Sequence, residues 1–528
     1  MLKRFFFTLL LFSFLSACAS PVPEPATTTV TASTPEQLTR QDWWREAVFY
    51  EIFVRSYYDT NDDGIGDFNG ITQKLDYLES LGVNAIWLMP INPSPSYHGY
   101  DVTNYYNVNH EYGTMDDFKN LLAEAHKRDI RIIIDLVLNH TSSQHPWFKN
   151  ANSDPNSQYR DYYVWSETGK SGQWHAGNQG YYFGLFWGGM PDLNYNNPAV
   201  TADMLKVTDF WLNEIGIDGF RVDAAKHLIE DGEKIENTPA THAWFKEFYT
   251  AYKAQNPEAY TIGEVYGAGS SVIKSYTGDQ LDHIFNFEMS SGFMNSANGG
   301  ANSGITSAFK FAAQDMPNFN FATFLTNHDQ TRSMSVFYGN IDKAKVASFL
   351  MLTSPGTPFI YYGEEIGMQG QKPDEDIRLP MQWSNSANAG FSTHLPWRAP
   401  NKDYTTTNVE EQLQDSNSLL NHYQTLIQLR KEHPALQTGS ATLIETNNPA
   451  VFALLRSSEN ENILVVVNLS NSPISDYQLE LKESTLPNGT ITSTSLFKTA
   501  QAQTLEITSG TFSGYKPIDE LPLPNISL

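Results

Sequence analysis

Residues 59–67 read D-T-N-D-D-G-I-G-D, with an oxygen-bearing side chain at alternate places and a glycine in the sixth. A hard, oxygen-seeking cation needs such a spacing, and the first seven places match the start of an EF-hand loop. That loop also requires a bidentate glutamate in its twelfth place and a helix on each side. Here the twelfth place is Gly70, and the preceding A-V-F-Y-E-I-F-V is rich in strand formers, so an EF-hand is excluded. Asp59, Asn61, Asp63, the Ile65 carbonyl and Asp67 remain either a compact cation site between a strand and a helix near residues 71–81, or a solvated Asn/Asp/Gly turn. Three other carboxylates stand where apolar runs end: Asp223 after G-F-R-V, Glu264 in Y-T-I-G-E-V, and Asp329 just past F-A-T-F-L-T. A charge beside buried chain is costly unless it faces a polar site. An ordinary strand-end carboxylate would explain any one of them, but three on separate strands point to a catalytic site.

The elements that must position these groups follow from periodicity. From Ala47 onward, short strand-forming runs alternate with helical patterns, the order of a parallel α/β architecture. The runs at 47–54, 83–89, 131–137, 219–223, 260–265, 283–287, 321–326 and 357–362 are read as strands, and eight is the number a closed barrel needs. Between the third and fourth lie about eighty residues dense in Asn, Gly, Tyr and Trp, too long for a simple connection and thus an inserted subdomain. After Gly439 the helical patterns stop, and V-F-A-L-L-R and N-I-L-V-V-V-N-L predict a small antiparallel β domain.

Bulk properties narrow the partners. The 528 residues are 40% hydrophobic, enough for a sizeable core and more than one domain. The 59 acidic residues outnumber 34 basic ones for a net charge of −25, which argues against nucleic acid and anionic lipid surfaces. A neutral ligand fits better, and a monomer is expected. The single cysteine, Cys18, rules out a disulfide framework and a thiolate zinc site. It follows Lys3, Arg4 and an apolar run too short for a usual membrane span, which reads as a secretory signal over residues 1–18. The run ends in L-S-A-C, which resembles the lipobox of bacterial lipoproteins. That likeness implies a lipid anchor on Cys18 in the cell envelope, and Ala19 after it is compatible with outer-membrane sorting. Residues 19–40, rich in Pro and Thr, read as a flexible tether.

Four motifs in order, D-L-V-L-N-H (135–140), G-F-R-V-D-A-A-K-H (219–227), G-E-V (263–265) and F-L-T-N-H-D (324–329), resemble the signature regions of the α-amylase family of glycoside hydrolases. M-P-D-L-N (190–194), H-G-Y-D (98–101) and R-L-P-M-Q-W (378–383) resemble further stretches of that family. The likeness implies a (β/α)8 TIM barrel over residues 41–140 and 200–438, a subdomain inserted after strand three over 141–199, and a C-terminal antiparallel β-sandwich over 439–528. It implies Asp223 as nucleophile, Glu264 as acid and then base, and Asp329 as the carboxylate that grips sugar hydroxyls and favours an oxocarbenium-like transition state. Asp223 would raise the Glu264 pKa, while Arg221 would favour ionised Asp223. His98, Tyr100, Asp101, His140, Arg221, Lys226, His227 and His328 would contact the substrate, Tyr100 as a stacking face.

Relatives carrying a D-x-N-x-D-x-I-x-D loop hold calcium there, so the resemblance selects the cation reading of residues 59–67. It also implies a second calcium at Asn139, Asp192 and the His227 carbonyl. The implied activity is retaining, endo-type hydrolysis of α-1,4 bonds in starch or maltodextrins. Ala224 after the nucleophile resembles α-1,4-acting enzymes rather than α-1,6-acting ones. The M-P-D-L-N group also includes neopullulanase-like enzymes and glucanotransferases, which stand as the alternative. A glucan-binding protein without catalysis is the remote one.

Overall fold

The computed structural model describes residues 42–513 and 525–527, apart from 171, 483–485, 487 and 497–501. The expected leader, tether and lipid-bearing Cys18 lie outside the described residues.

All eight runs form strands: Phe49–Ile52, Ala85–Leu88, Arg131–Leu136, Gly219–Val222, Tyr260–Gly263, His283–Ile284, Ala322–Phe324 and Thr357–Tyr361. They pair in parallel in the order seventh, eighth, first, second, third, fourth, fifth, sixth. A parallel bridge between Phe285 and Ala322 joins the sixth back to the seventh, and a sheet whose last strand meets its first is a closed barrel.

Strand side chains alternate in direction, and here that alternation carries the interior from apolar to charged. Phe49, Ala85, Ile133, Tyr260, Ile262, Phe324 and Phe359 share one buried cluster with Trp43 and Trp44. Phe49 stacks on Phe359 at 4.2 Å and Trp44 on Tyr260 at 5.1 Å. Two places further along, the same parity reaches Glu51, Trp87, Asp135, Arg221 and Glu264. The register sets Glu51 beside Trp87 and Asp135 beside Arg221 on neighbouring strands. The intervening residues Tyr50, Ile86, Ile134 and Val222 belong to the other cluster, shared with the surrounding helices.

After the third strand the chain forms the helix Pro146–Ser153 and a three-stranded antiparallel sheet, Trp165–Ser166, Gly180–Phe183 and Trp174–Gly177 in spatial order. Antiparallel bridges His140–Asp192 and Tyr163–Leu193 tie its end to the exit of that strand. From Ser440 onward an eight-stranded antiparallel sheet follows. In its strands Val451–Ser457 and Asn462–Asn468, one face (Val451, Ala453, Leu464, Val466) enters a core with Leu479, Leu505 and Phe512 from the other half of the sheet. The opposite face, Phe452, Leu454, Ile463 and Val465, joins the core around the barrel. Burial on both faces explains why these runs are continuously apolar.

Candidate active site

Asp223 follows the fourth strand and Glu264 the fifth, and their carboxylates meet on one guanidinium. Arg221 Nη1 donates to Asp223 Oδ1 and Asp135 Oδ1, each at 2.7 Å, and Nη2 donates to Glu264 Oε2 at 2.6 Å. Because both nitrogens belong to one planar fork, the bonded oxygens of Asp223 and Glu264 stay within about 8 Å of each other. Glu264 Oε2 is also 3.3 Å from the amide nitrogen of Ala224, which adopts a φ of 47°. A residue with a Cβ enters that left-handed region at a cost of about 1–2 kcal/mol, so the surrounding contacts hold this turn in place. Both carboxylates line one cavity of about 630 Å³, joined there by Asp329, His98, Tyr100, His140, Lys226 and His227.

Asp329 Oδ1 accepts a hydrogen bond from Arg378 Nη2 at 2.9 Å, and Oδ2 lies 3.0 Å from His328 Nε2. His328 Nδ1 is 2.6 Å from Glu51 Oε1, and Nε2 is 2.7 Å from the Tyr100 hydroxyl. That hydroxyl donates in turn to Asp135 Oδ2 at 3.2 Å. One polar network therefore runs beneath the cavity floor. Lys226 pairs with Glu236 at 2.7 Å, and His227 Nδ1 donates to the Ile235 carbonyl at 2.9 Å.

Three of the expected substrate contacts stand elsewhere. Arg221 is 1% exposed and His328 is fully buried; both act behind the lining residues, because inward parity and the charges around them draw them into the barrel. Asp101, 3% exposed, does not line the cavity. Its Oδ1 accepts from Ser94 Oγ at 2.6 Å and from Ser96 Oγ, so the two serines hold it within the turn. Other residues contribute unforeseen groups: Asp135, Glu51, Arg378 and three half-exposed aromatics at the cavity wall, Phe186, Trp187 and Tyr266. Trp187 lies so close over Gly189 that a Cβ there would fall 2.1 Å from the indole.

Electrostatics separate the carboxyl groups. Burial raises the Glu264 pKa, with Asp223 and Asp329 adding to the rise against Arg221. Desolvation thus leads, where the sequence reading credited Asp223. Burial also pushes Asp135 up to about 7 although Arg221 opposes it. For Asp329, burial is outweighed by His328 and Arg378, which hold its carboxyl well below the usual range. Burial would lower His328, but Asp329 and Glu51 together push it up to about 9.

A histidine whose pKa rises on folding gives stability that is complete below its unfolded value, about 6.5, and is lost as pH climbs through the folded value. The melting midpoint of the wild type is therefore expected to fall between about pH 6.5 and 9, and His328→Gln to flatten that part of the curve. An unchanged slope in the variant, followed by calorimetry, would count against a charged His328.

The α-amylase catalytic-domain model matches residues 51–439. The chain belongs to the α-amylase family. Alpha-amylase 3 of Dictyoglomus thermophilum is 44% identical over 439 residues, covering 81% of this chain and 86% of its own. The oligo-1,6-glucosidase of Parageobacillus thermoglucosidasius is 34% identical over 514 residues, 81% of this chain and 90% of its own. The crystal structure of the α-amylase from H. orenii matches with a TM-score of 0.79 at 38% identity, covering 91% of this chain and 99% of that one. The protein is an enzyme of the glycoside hydrolase type, and its barrel is the one these relatives share.

Whether this α-amylase-family chain suits calcium can be judged from its donor atoms. Among the described residues no cluster of three or more His, Cys, Asp or Glu side chains gathers in metal-binding fashion, so a cation would rest on mixed donors. In the 59–67 loop, Asp59 accepts from the amides of Asn61, Asp62 and Gly64 and from Ser392 Oγ, at 2.5 to 3.0 Å. Asp63 Oδ1 accepts from Ile65 N at 2.8 Å, and Asp67 accepts from Thr60 and caps the helix Phe68–Gln73 through Gly70 N at 2.7 Å. Gly64, at φ 87°, has the Leu395 carbonyl where a Cβ would be. Asp59 Oδ1 and Oδ2 each already accept two donors and both Asp67 oxygens are held by Thr60 and Gly70 N, whereas each Asp63 oxygen accepts only one among the described residues, from Ile65 N or Asn61 Nδ2. A hard cation suits the oxygen-donor chemistry of the loop and would displace some of these donors. The second set carries a different sign. Asn139 Oδ1 and Asp192 Oδ2 are buried without a hydrogen-bond partner among the described residues, and burial raises the Asp192 pKa well above its usual value. Orphaned buried oxygens are costly, and a calcium shared with the His227 carbonyl would satisfy them.

Proposed function

We propose that the protein is a retaining, endo-acting hydrolase of α-1,4-glucosidic bonds in starch and maltodextrins. The observation that carries this reading is the meeting of Asp223 and Glu264 on Arg221 at one cavity wall. Asp223, ion-paired to Arg221, attacks the anomeric carbon while Glu264 gives its proton to the departing oxygen. In the second step Glu264 takes a proton from water as that water displaces Asp223. The raised Glu264 pKa suits its first task. Asp329, kept ionised by His328 and Arg378, favours positive charge developing on the sugar. Ala224, Lys226 and His227 at the cavity support α-1,4 over α-1,6 cleavage, whereas likeness to an oligo-1,6-glucosidase keeps the second specificity open. Digestion of maltoheptaose with and without free glucose, beside a digestion of pullulan, tests the reading. Maltose and maltotriose with no acceptor-lengthened products are expected. Dominant lengthened chains would favour a glucanotransferase, and rapid release of panose from pullulan a neopullulanase-like enzyme.

Calcium is proposed at Asp59, Asn61, Asp63, the Ile65 carbonyl and Asp67, and at Asn139, Asp192 and the His227 carbonyl. In both places its task is structural. A cation that binds only the folded chain stabilises it by about 2.7 kcal/mol at a hundredfold excess over its Kd. Chelation is thus expected to lower the melting midpoint and added calcium to restore it; an unmoved midpoint contradicts both sites. The lipid anchor at Cys18 and a place in the cell envelope belong to the same proposal, with an α-glucan as the partner.

A further inference from the structure

A second depression of about 350 Å³ lies between the loop at 267–269 and two helices, Phe287–Gly299 and Ser303–Asp315. Its floor is made of small residues. A Cβ on Gly292 would come within 3.0 Å of the Ala308 Cβ, so the two helices approach closely and leave a shallow trough rather than a filled seam. Phe311 stands at its rim, 53% exposed on an otherwise amphipathic helix. Glu288 lies along the wall: Oε2 accepts from Ser270 N at 2.8 Å and Ser270 Oγ at 2.6 Å, while Oε1 has no hydrogen-bond donor among the described residues and lies toward Gly269. Asn295 and Ser307 add polar groups. A flat aromatic face beside fixed hydrogen-bonding groups is the chemistry that receives a sugar ring, apolar on its faces and hydroxylated at its edges.

The trough adjoins the catalytic cavity through one aromatic contact. Tyr266, two residues after Glu264, lines that cavity and is 53% exposed. Its ring meets Phe287 edge-on at 5.0 Å, and Phe287 lines the trough. A chain that left the cavity past Tyr266 would meet Phe287 at the trough, whose lining also includes Phe311. We propose that this trough is a distal subsite for the leaving-group portion of a long α-glucan, with Phe311 as its stacking face and Glu288 Oε1 as a hydroxyl acceptor. The proposal rests on the functional reading above.

The test measures kcat/KM of the full chain on maltotriose and on short amylose, for the wild type, Phe311→Ala and Phe311→Tyr. Phe311→Ala is expected to lose about 3- to 10-fold on amylose, through KM, as loss of one stacking contact implies, and to match the wild type on maltotriose. Phe311→Tyr, which keeps an aromatic ring at the rim, is expected to match the wild type on both substrates. An equal loss on both substrates, or no loss on either, overturns the subsite while leaving the functional reading intact. A wild type that turns over neither substrate overturns the functional reading and the subsite with it.

Discussion

Asp223→Asn is expected to lower the rate of starch hydrolysis by roughly 10⁴-fold or more, since removing a nucleophile removes the covalent route itself rather than one stabilising contact. The fold is expected to survive. Asparagine has nearly the shape of aspartate, and its amide oxygen can still accept the bond from Arg221 Nη1 that Asp223 Oδ1 takes at 2.7 Å. The informative comparison is a full assay on maltoheptaose beside a melting scan. A near-wild-type midpoint with activity lost identifies a chemical role, whereas retained turnover removes Asp223 from the mechanism.

The second large effect falls on Arg221, which touches no cavity surface. Its guanidinium is 1% exposed and serves Asp135, Asp223 and Glu264 together. Arg221→Met leaves three carboxyl groups in the barrel mouth without their cation, and breaking a buried pair in this way costs about 3–5 kcal/mol. The carboxyls have an escape, which is to bind protons. Stability of the variant is therefore expected to recover toward acid pH, where the wild type gains nothing comparable, and activity is expected to be lost because no guanidinium then positions Asp223 and Glu264 together. Arg221→Lys keeps the charge but lacks the fork that reaches all three partners, so it is expected to fold better than Arg221→Met while remaining a poor catalyst. Equal midpoints for wild type and Arg221→Met across the pH range would remove the guanidinium from its central place.

How far the sequence reached depended on the kind of signal. The eight strands were legible because each is a short apolar run closed by a turn, and their parallel order followed from the helices between them. Asp223 and Glu264 were legible as charges ending such runs. Asp135 and Glu51 were not, although the same parity that places Ile133 and Phe49 in the barrel core places them two residues later in its mouth. Reading each run as a period-two series, rather than looking only at its last residue, would have found both. Asp101 failed in the opposite direction. Its motif suggested a sugar contact, but Ser94 and Ser96, seven and five residues before it, hold its Oδ1 inside its own turn, a local competition that spacing alone does not reveal. Phe186, Trp187 and Tyr266 gave no periodic signal because they sit on loops, and the backbone that turns them toward the cavity depends on glycines such as Gly189, whose missing Cβ makes room for the Trp187 ring.

The most direct measurement is the anomeric form of the first product released from maltoheptaose, followed by proton NMR before mutarotation scrambles it. Displacement at Asp223 followed by water attack with Glu264 as base inverts the anomeric carbon twice, so new reducing ends are expected to emerge as the α-anomer. The β-anomer appearing first would mean a single displacement by water, and the assignment of Asp223 as a nucleophile would be contradicted.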